Sequence, residues 1–235
     1  MKKVIVIFGV LAFTAGMAFS QNNDASINQT GDEHEAIITQ IGSLNESYVV
    51  QTDGSEGNNP NTVAEADIYQ YGAQNYVNLN QRAFWGHQNS EAKIVQIGDN
   101  NTVRGMNEGD DWYQNQTGGL LDVRMEGDDN TLRSLRSEAQ KNNNSLELDI
   151  LGDGNDVAAA QEFGNATVDI IGDDNEVSLW QTSGANWDVL LYNNADIDIM
   201  GNNNDVNVHQ TNNANNAIID IIGSDNTASI TQSAY

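Results

Sequence analysis

Cysteine is absent from this chain of 235 residues, so disulfides contribute nothing to its stability. Proline occurs once, as Pro60. Because proline removes a donor from a sheet, its scarcity leaves long backbone ladders uninterrupted. Positive charge is scarce as well, with 9 Lys and Arg against 34 Asp and Glu. That is too few to neutralise phosphates, so no nucleic acid partner is expected. The three histidines, His34, His87 and His209, lie far apart, and no nucleophile, base or metal constellation converges on them. The chain is therefore read as no enzyme, with no cofactor and no metal site. Past the first twenty residues, no segment is apolar enough to span a bilayer.

Those first twenty residues have the form of a secretion signal. Lys2 and Lys3 make a positive start, Val4 to Ala15 an apolar stretch, and Ala18-Phe19-Ser20 a small-residue cleavage site. Residues 1–20 are expected to be removed, so that the mature protein starts at Gln21. This leaves 7 basic residues against 34 acidic ones, a net charge of −27 that keeps chains apart in solution. The protein is expected outside the cell.

What the sequence has in abundance is amide: 34 Asn and 16 Gln. They are not scattered. A glycine, an asparagine three residues on and a glutamine six further recur as Gly42, Asn45, Gln51; Gly72, Asn75, Gln81; Gly152, Asn155, Gln161; Gly172, Asn175, Gln181; Gly201, Asn204, Gln210; and Gly223, Asn226, Gln232. Three further copies change one letter. His34 stands for Asn after Gly31, with Gln40 at the end; Asn107 stands for Gln after Gly98 and Asn101; Arg136 stands for Gln after Gly127 and Asn130. Nine copies of one short unit make a repeat architecture.

Between these anchors apolar and polar residues alternate, which is the period of a strand. Ile197, Ile199, Val206, Val208 and Gln210 share one face, while Asp196, Asp198, Asn207 and His209 share the other. Each unit is thus strand, tight arc, strand. Glycine suits the arc because its backbone turns where a Cβ is disfavoured, and asparagine is expected to tolerate left-handed geometry. One such hairpin cannot bury its apolar face. Stacked at about 4.8 Å per rung, hairpins bury one another's faces and turn side-chain amides into ladders. The predicted fold is all-β, a two-sheet β-solenoid over residues 25–235 of about eight to nine rungs and about 40 Å. A polar leader, residues 21–24, precedes it.

Beyond Gln51 the glycine-to-glutamine arm is expected to stay fixed while the connector to the next unit varies, which confines insertions to one side of the rod. The residue two before each glycine drifts from Gln29, Gln40, Gln70 and Gln96 to Met125, Ile150, Ile170, Ile199 and Ile221, so later rungs should be drier. Irregularity is expected around Met125 and Arg136. No obvious cap ends the rod, since the last strand, Asn226 to Gln232, holds neither charge nor proline.

Units of the form Q-x-G-x-x-N, then alternating residues and a second Gln, resemble the curlin repeat of bacterial curli subunits, over about Ala25 to Tyr235. The resemblance implies a secreted subunit that polymerises with itself into extracellular amyloid fibres of the biofilm matrix and supports cell adhesion. It also implies an outer-membrane curli-type secretion channel, a nucleator subunit, and a secretion-targeting role for the polar leader. A monomeric β-solenoid that binds ice or polysaccharide, or acts as an adhesin, is the alternative, but no Thr-x-Thr column recurs to match ice.

Two features stand outside the ladder. Acidic arcs, with Asp99, Asp128, Asp129, Asp153, Asp173, Asp174 and Asp225 between a Gly and an Asn, are read as solvated turns, because calcium-binding solenoids repeat every nine residues with paired glycines and that spacing is missing. Aromatic residues in the connectors, Phe84 and Trp85, Trp112 and Tyr113, Trp187 and Tyr192, either fold back over the core edge or form a patch for matrix polysaccharide or lateral packing.

Overall fold

Alternation gives each strand one apolar face, and parallel stacking in register sets like residue on like. The protein is described by a computed structural model over residues 22–31, 34–53, 64–83, 91–104, 114–116, 120–134, 140–141, 145–162, 164–182, 192–212 and 214–233. These residues form strands and no helix. The first seven strands are β1 (Asp24–Thr30), β2 (Glu35–Ser43), β3 (Glu46–Asp53), β4 (Glu65–Ala73), β5 (Tyr76–Ala83), β6 (Lys93–Ile97) and β7 (Thr102–Arg104). Short segments fill the middle: β8 (Gln114–Gln116), β9 (Val123–Glu126), β10 (Thr131–Ser134), β11 (Gln140–Lys141), β12 (Ser145–Leu146) and β13 (Asp149–Leu151). The remainder are β14 (Asp156–Glu162), β15 (Gly164–Ile171), β16 (Glu176–Thr182), β17 (Asn193–Met200), β18 (Asp205–Thr211), β19 (Asn216–Ile222) and β20 (Thr227–Ser233).

They build a two-sheet parallel β-solenoid. The first sheet runs β1-β3-β5-β7-β10-β14-β16-β18-β20, with β8 and β11 completing it beside β5 and β14. The second runs β2-β4-β6-β9-β13-β15-β17-β19, with β12 beside β15. Paired residues of successive turns are offset by as few as 20 residues, where Ile150 lies opposite Ile170, and by as many as 35, where Leu79 lies opposite Gln114.

Between the sheets lies one apolar core. Ile68, Ile94, Met125, Ile150, Ile170, Ile197 and Ile199 come from the second sheet, and Val77, Leu79, Val103, Leu132, Val157, Val177, Leu179, Val206 and Val208 from the first. Nearly all are fully buried, and each such aliphatic side chain contributes roughly 1.5–3 kcal/mol. The end strands are different: every residue of β1 is exposed, and β20 is at most half-buried.

Two expectations are corrected here. The first concerns the Gly31 copy. Gln29 lies opposite Gln51 and Gln40 opposite Gln70, so the turn at Gly31 leads from the first sheet back to the second, while Gly42, Gly72, Gly98, Gly127, Gly152, Gly172, Gly201 and Gly223 lead the other way. Among the described residues, arcs of that kind number eight, not nine. Turns at the two edges carry the same eleven-residue Gln spacing here, and only pairing tells them apart.

The second concerns the fixed arm. Val103 lies opposite Val77, yet Leu79, two residues on, faces Gln114, and Gln81 faces Gln116. Likewise Ser134 lies opposite Ala159, whereas Gln161 faces Gln140. The glutamine register is thus held by Gln116 and Gln140 and not by Asn107 and Arg136, which lie outside the described residues. Insertions interrupt arms as well as connectors. Gln51, Gln81, Gln181 and Gln210 of that column are fully buried, where an arginine would be a charge without a partner.

Candidate functional site: side-chain ladders and open sheet edges

In each arc the glycine has φ between +118° and +143°, and its missing Cβ matters a second time. A Cβ on Gly42 would lie 1.8 Å from the carbonyl oxygen of Gly72, and one on Gly127 would lie 2.1 Å from that of Gly152. Glycine is therefore what lets one arc stack on the next. Two residues later the backbone is left-handed, with φ of 57–61° at Leu44, Gln74, Asn100, Asp129, Asp174, Asn203 and Asp225. The left-handed residue is thus the one before the repeating asparagine, so the expectation that asparagine serves backbone geometry there is overturned.

The asparagine is a hydrogen-bond relay. Asn45, Asn75, Asn101, Asn130, Asn155, Asn175 and Asn204 are all buried in one column. The backbone N–H of Asn175 donates to Asn155 Oδ1 (3.0 Å), its Nδ2 donates to the same oxygen (2.9 Å), and Nδ2 donates again to the carbonyl of Gly201 in the next arc (2.9 Å). The pattern repeats from rung to rung and ends with Asn226 on Asn204. It begins one position before the first complete rung. Asn23 donates to Gly42 and accepts from the Asn45 N–H, so the second half of the expected leader belongs to the ladder.

Glutamine forms two columns. In the first sheet Gln29 donates to Gln51 (2.7 Å), Gln51 to Gln81 (2.8 Å), Gln161 to Gln181 (2.7 Å), Gln181 to Gln210 (2.8 Å) and Gln210 to Gln232 (2.7 Å). The Nε2 groups of Gln51, Gln81, Gln181, Gln210 and Gln232 also span the core edge to a carbonyl of the second sheet, as Gln210 does to Asn194 and Gln232 to Asn216. Gln40 stands apart from these. It donates to Gln70, which donates to Gln96 (2.8 Å each), and Ser47 Oγ donates to Gln70 Oε1 from the facing sheet. From Met125 onward that second column is apolar, as Gln96 lies opposite Met125 and Ile150 opposite Ile170.

Three features escaped the sequence reading. At the rear edge Asn215 donates from its backbone N–H and its Nδ2 to Asn193 Oδ1 (3.1 and 3.0 Å), a second asparagine ladder whose trace is the Asn-Asn-Ala run at residues 193–195 and 215–217. The residues after the arc glycines form an acceptor column. Asp128 Oδ1 takes the N–H of Asp99, Asp153 Oδ1 that of Asp128, and Asp173 Oδ1 that of Asp153 (2.7–3.0 Å). These carboxylates hold backbone, and among the described residues no group of three or more acidic or histidine side chains is placed to hold a metal ion. Third, on the outer face of the second sheet Asp149, Asp169, Asp198 and Asp220 stack in register. Partial burial, then Asp149, Asp198, Asp196 and Glu147, push the Asp169 carboxyl above its usual range.

Among the described residues, each sheet ends at both sides on a strand paired on one side only, β1 and β20 in one and β2 and β19 in the other. Tyr192 is half-buried beside β17. The other connector aromatics, Phe84, Trp85, Trp112, Tyr113 and Trp187, lie outside the described residues, as do His87 and Pro60. The family model described as Curlin associated repeat matches the chain at two places, residues 21–52 and 201–233, which are the two ends of the solenoid. No curated protein and no solved structure matches it.

Proposed function

Because the chain carries curlin associated repeats at both ends of its rod, we propose that it is a secreted structural subunit that self-assembles, end on end, into extracellular amyloid fibres. One observation carries this reading: the ladders do not terminate chemically where the described strands do. Asn226 Oδ1 occupies the place from which Asn45, Asn101, Asn130, Asn155, Asn175 and Asn204 each accept two donors from the next rung, and Gln232 carries an amide aligned with its column. β20 offers its unpaired edge with no charge and no proline between Thr227 and Gln232. Natural proteins blunt such edges, and an open one is a template for another copy.

The same reading makes the protein an occupant of the bacterial cell surface and biofilm matrix. It passes an outer-membrane channel of the curli type after removal of residues 1–20, and a nucleator subunit starts its growth. It acts through assembly and not through catalysis, and matrix polysaccharide is a further partner. A charge of −27 on residues 21–235 gates assembly, so growth quickens as pH falls toward the isoelectric point of about 4.1 or as salt rises. The test is purified 21–235 followed by thioflavin fluorescence and electron microscopy. Unbranched β-rich fibres are expected, and chains that stay monomeric for days at micromolar concentration, seeded or not, overturn the reading.

A further inference from the structure

The first sheet has nine strands on its continuous path and the second has eight. This odd total matters when copies stack. If β1 keeps its place on β3, the β20 of a preceding copy can pair with β1, but one strand is then missing between β19 and β2. A gap of a whole strand, about 4.8 Å, leaves the ladder groups of both neighbours unpaired. If β1 leaves, β20 lies on β3 and β19 on β2, and both sheets run through the seam.

β1 is also built like the strand that would replace it. Its inward-facing residues, with the asparagine before it, are Asn23, Ala25, Ile27 and Gln29, and those of β20 are Asn226, Ala228, Ile230 and Gln232. No other described strand of that sheet carries this set. β3 has Asn45, Ser47, Val49 and Gln51, and β18 has Asn204, Val206, Val208 and Gln210. On β3 the mimic makes the contacts a rung makes. Asn23 bonds Gly42 and Asn45, Gln29 bonds Gln51, and Asp24 supplies a carbonyl to Gln40 and a carboxylate oxygen to the Tyr48 hydroxyl. Yet β1 is exposed along all seven residues, so its own apolar face gains little from staying.

We infer that β1 is a detachable self-mimic: it occupies the β3 edge in the free protein and is displaced by β20 of a second copy when fibres form. This rests on the assembly reading above. Kinetically β1 acts as a brake. Tethered by the short turn at Gly31, it competes at an effective concentration in the millimolar range, about 10³ above a micromolar partner. The incoming copy prevails because it brings β19 to β2 as well as β20 to β3, whereas β1 covers only one of the two sheet edges.

The experiment uses 21–235 with Asn28→Cys and Val50→Cys, two outward positions directly opposite each other in register. Adjacent strands lie about 4.8 Å apart, within disulfide reach, and the chain has no other cysteine. With the disulfide closed, growth from parental seeds should slow by at least about tenfold, given the tether's advantage, and reduction should restore it. Gln29→Ala, which removes the bond to Gln51 and leaves the strand free, should shorten the lag by about fivefold, the worth of one hydrogen bond. Growth of the closed form at the parental rate, or an unchanged lag for Gln29→Ala, overturns the displacement while leaving self-assembly standing. A parent chain that forms no fibres at all rejects the assembly reading itself, and the displacement with it.

Discussion

Replacing Asn155 by leucine isolates what the asparagine column is worth. Leucine has nearly the same branched shape, so the change removes chemistry and little volume. Asn155 Oδ1 accepts the Asn175 N–H (3.0 Å), and Asn155 Nδ2 donates to the Gly172 carbonyl (2.9 Å). Both groups would be left buried without a partner. Asn130 Oδ1 keeps the Asn155 N–H, and Asn175 Nδ2 keeps Gly201, so those two lose less. Two orphaned groups at about 1–3 kcal/mol each give a loss of about 2–6 kcal/mol. Against a typical domain stability of about 5–15 kcal/mol this is a large fraction. The assay is urea unfolding of dilute, low-salt 21–235 by circular dichroism, with hydrogen exchange at the Asn175 amide as a local reporter. Asn226→Leu is the internal comparison, since no described rung follows it and Asn204 Oδ1 keeps the Asn226 N–H. It should lose about 1 kcal/mol or less. Equal losses for the two variants, or less than about 1 kcal/mol for Asn155→Leu, would refute the relay and leave asparagine as a mere turn preference.

Glycine separates folding from stacking. Gly127→Ala meets the Gly152 carbonyl at 2.1 Å and should unfold the middle of the rod, whereas an alanine Cβ at Gly223 finds Asn226 Nδ2 at 3.5 Å as its nearest neighbour. Gly223→Ala should therefore keep a folded, mildly strained monomer by circular dichroism yet fail to elongate, because the next copy's arc would sit where Gly201 now meets Gly223. On the acidic face, a carboxyl raised in the folded state contributes stability that is complete at low pH and lost as pH rises through its folded value. Asp169→Asn should thus stabilise the rod at pH 7, by under about 1 kcal/mol at this half-buried site, and show no advantage below the ordinary aspartate range. Tyr48, whose hydroxyl donates to Asp24, is pushed up to about 12 by burial, then by that bond and by Glu46. Its contribution is complete below its ordinary value of 10.0 and is lost as pH rises through about 12, so β1 should loosen in that window by hydrogen exchange, and Tyr48→Phe should abolish the step.

Alternation is a local property, and so the inward faces were legible from the sequence alone: Ile197, Ile199, Val206 and Val208 announce a buried face because side chains in a strand alternate whatever lies across from it. The drying of the core from Gln96 to Met125 and Ile150 was legible for the same reason. Register was not. Whether Gly31 turns toward one sheet or the other depends on Gln29 finding Gln51, and whether Arg136 or Gln140 completes a rung depends on which can lie beside Gln161. Those pairings span 20 residues or more, across segments whose length varies from turn to turn. The roles of the acidic arcs and of the asparagines likewise waited on stacking, because Asp128 reads as a charge in the sequence and becomes a backbone acceptor only when Asp99 lies beside it. Composition and period determined a parallel stack with amide ladders. The tertiary structure decided which residue stands above which, since a ladder hydrogen bond exists only between neighbours that the chain has carried a full turn to bring together.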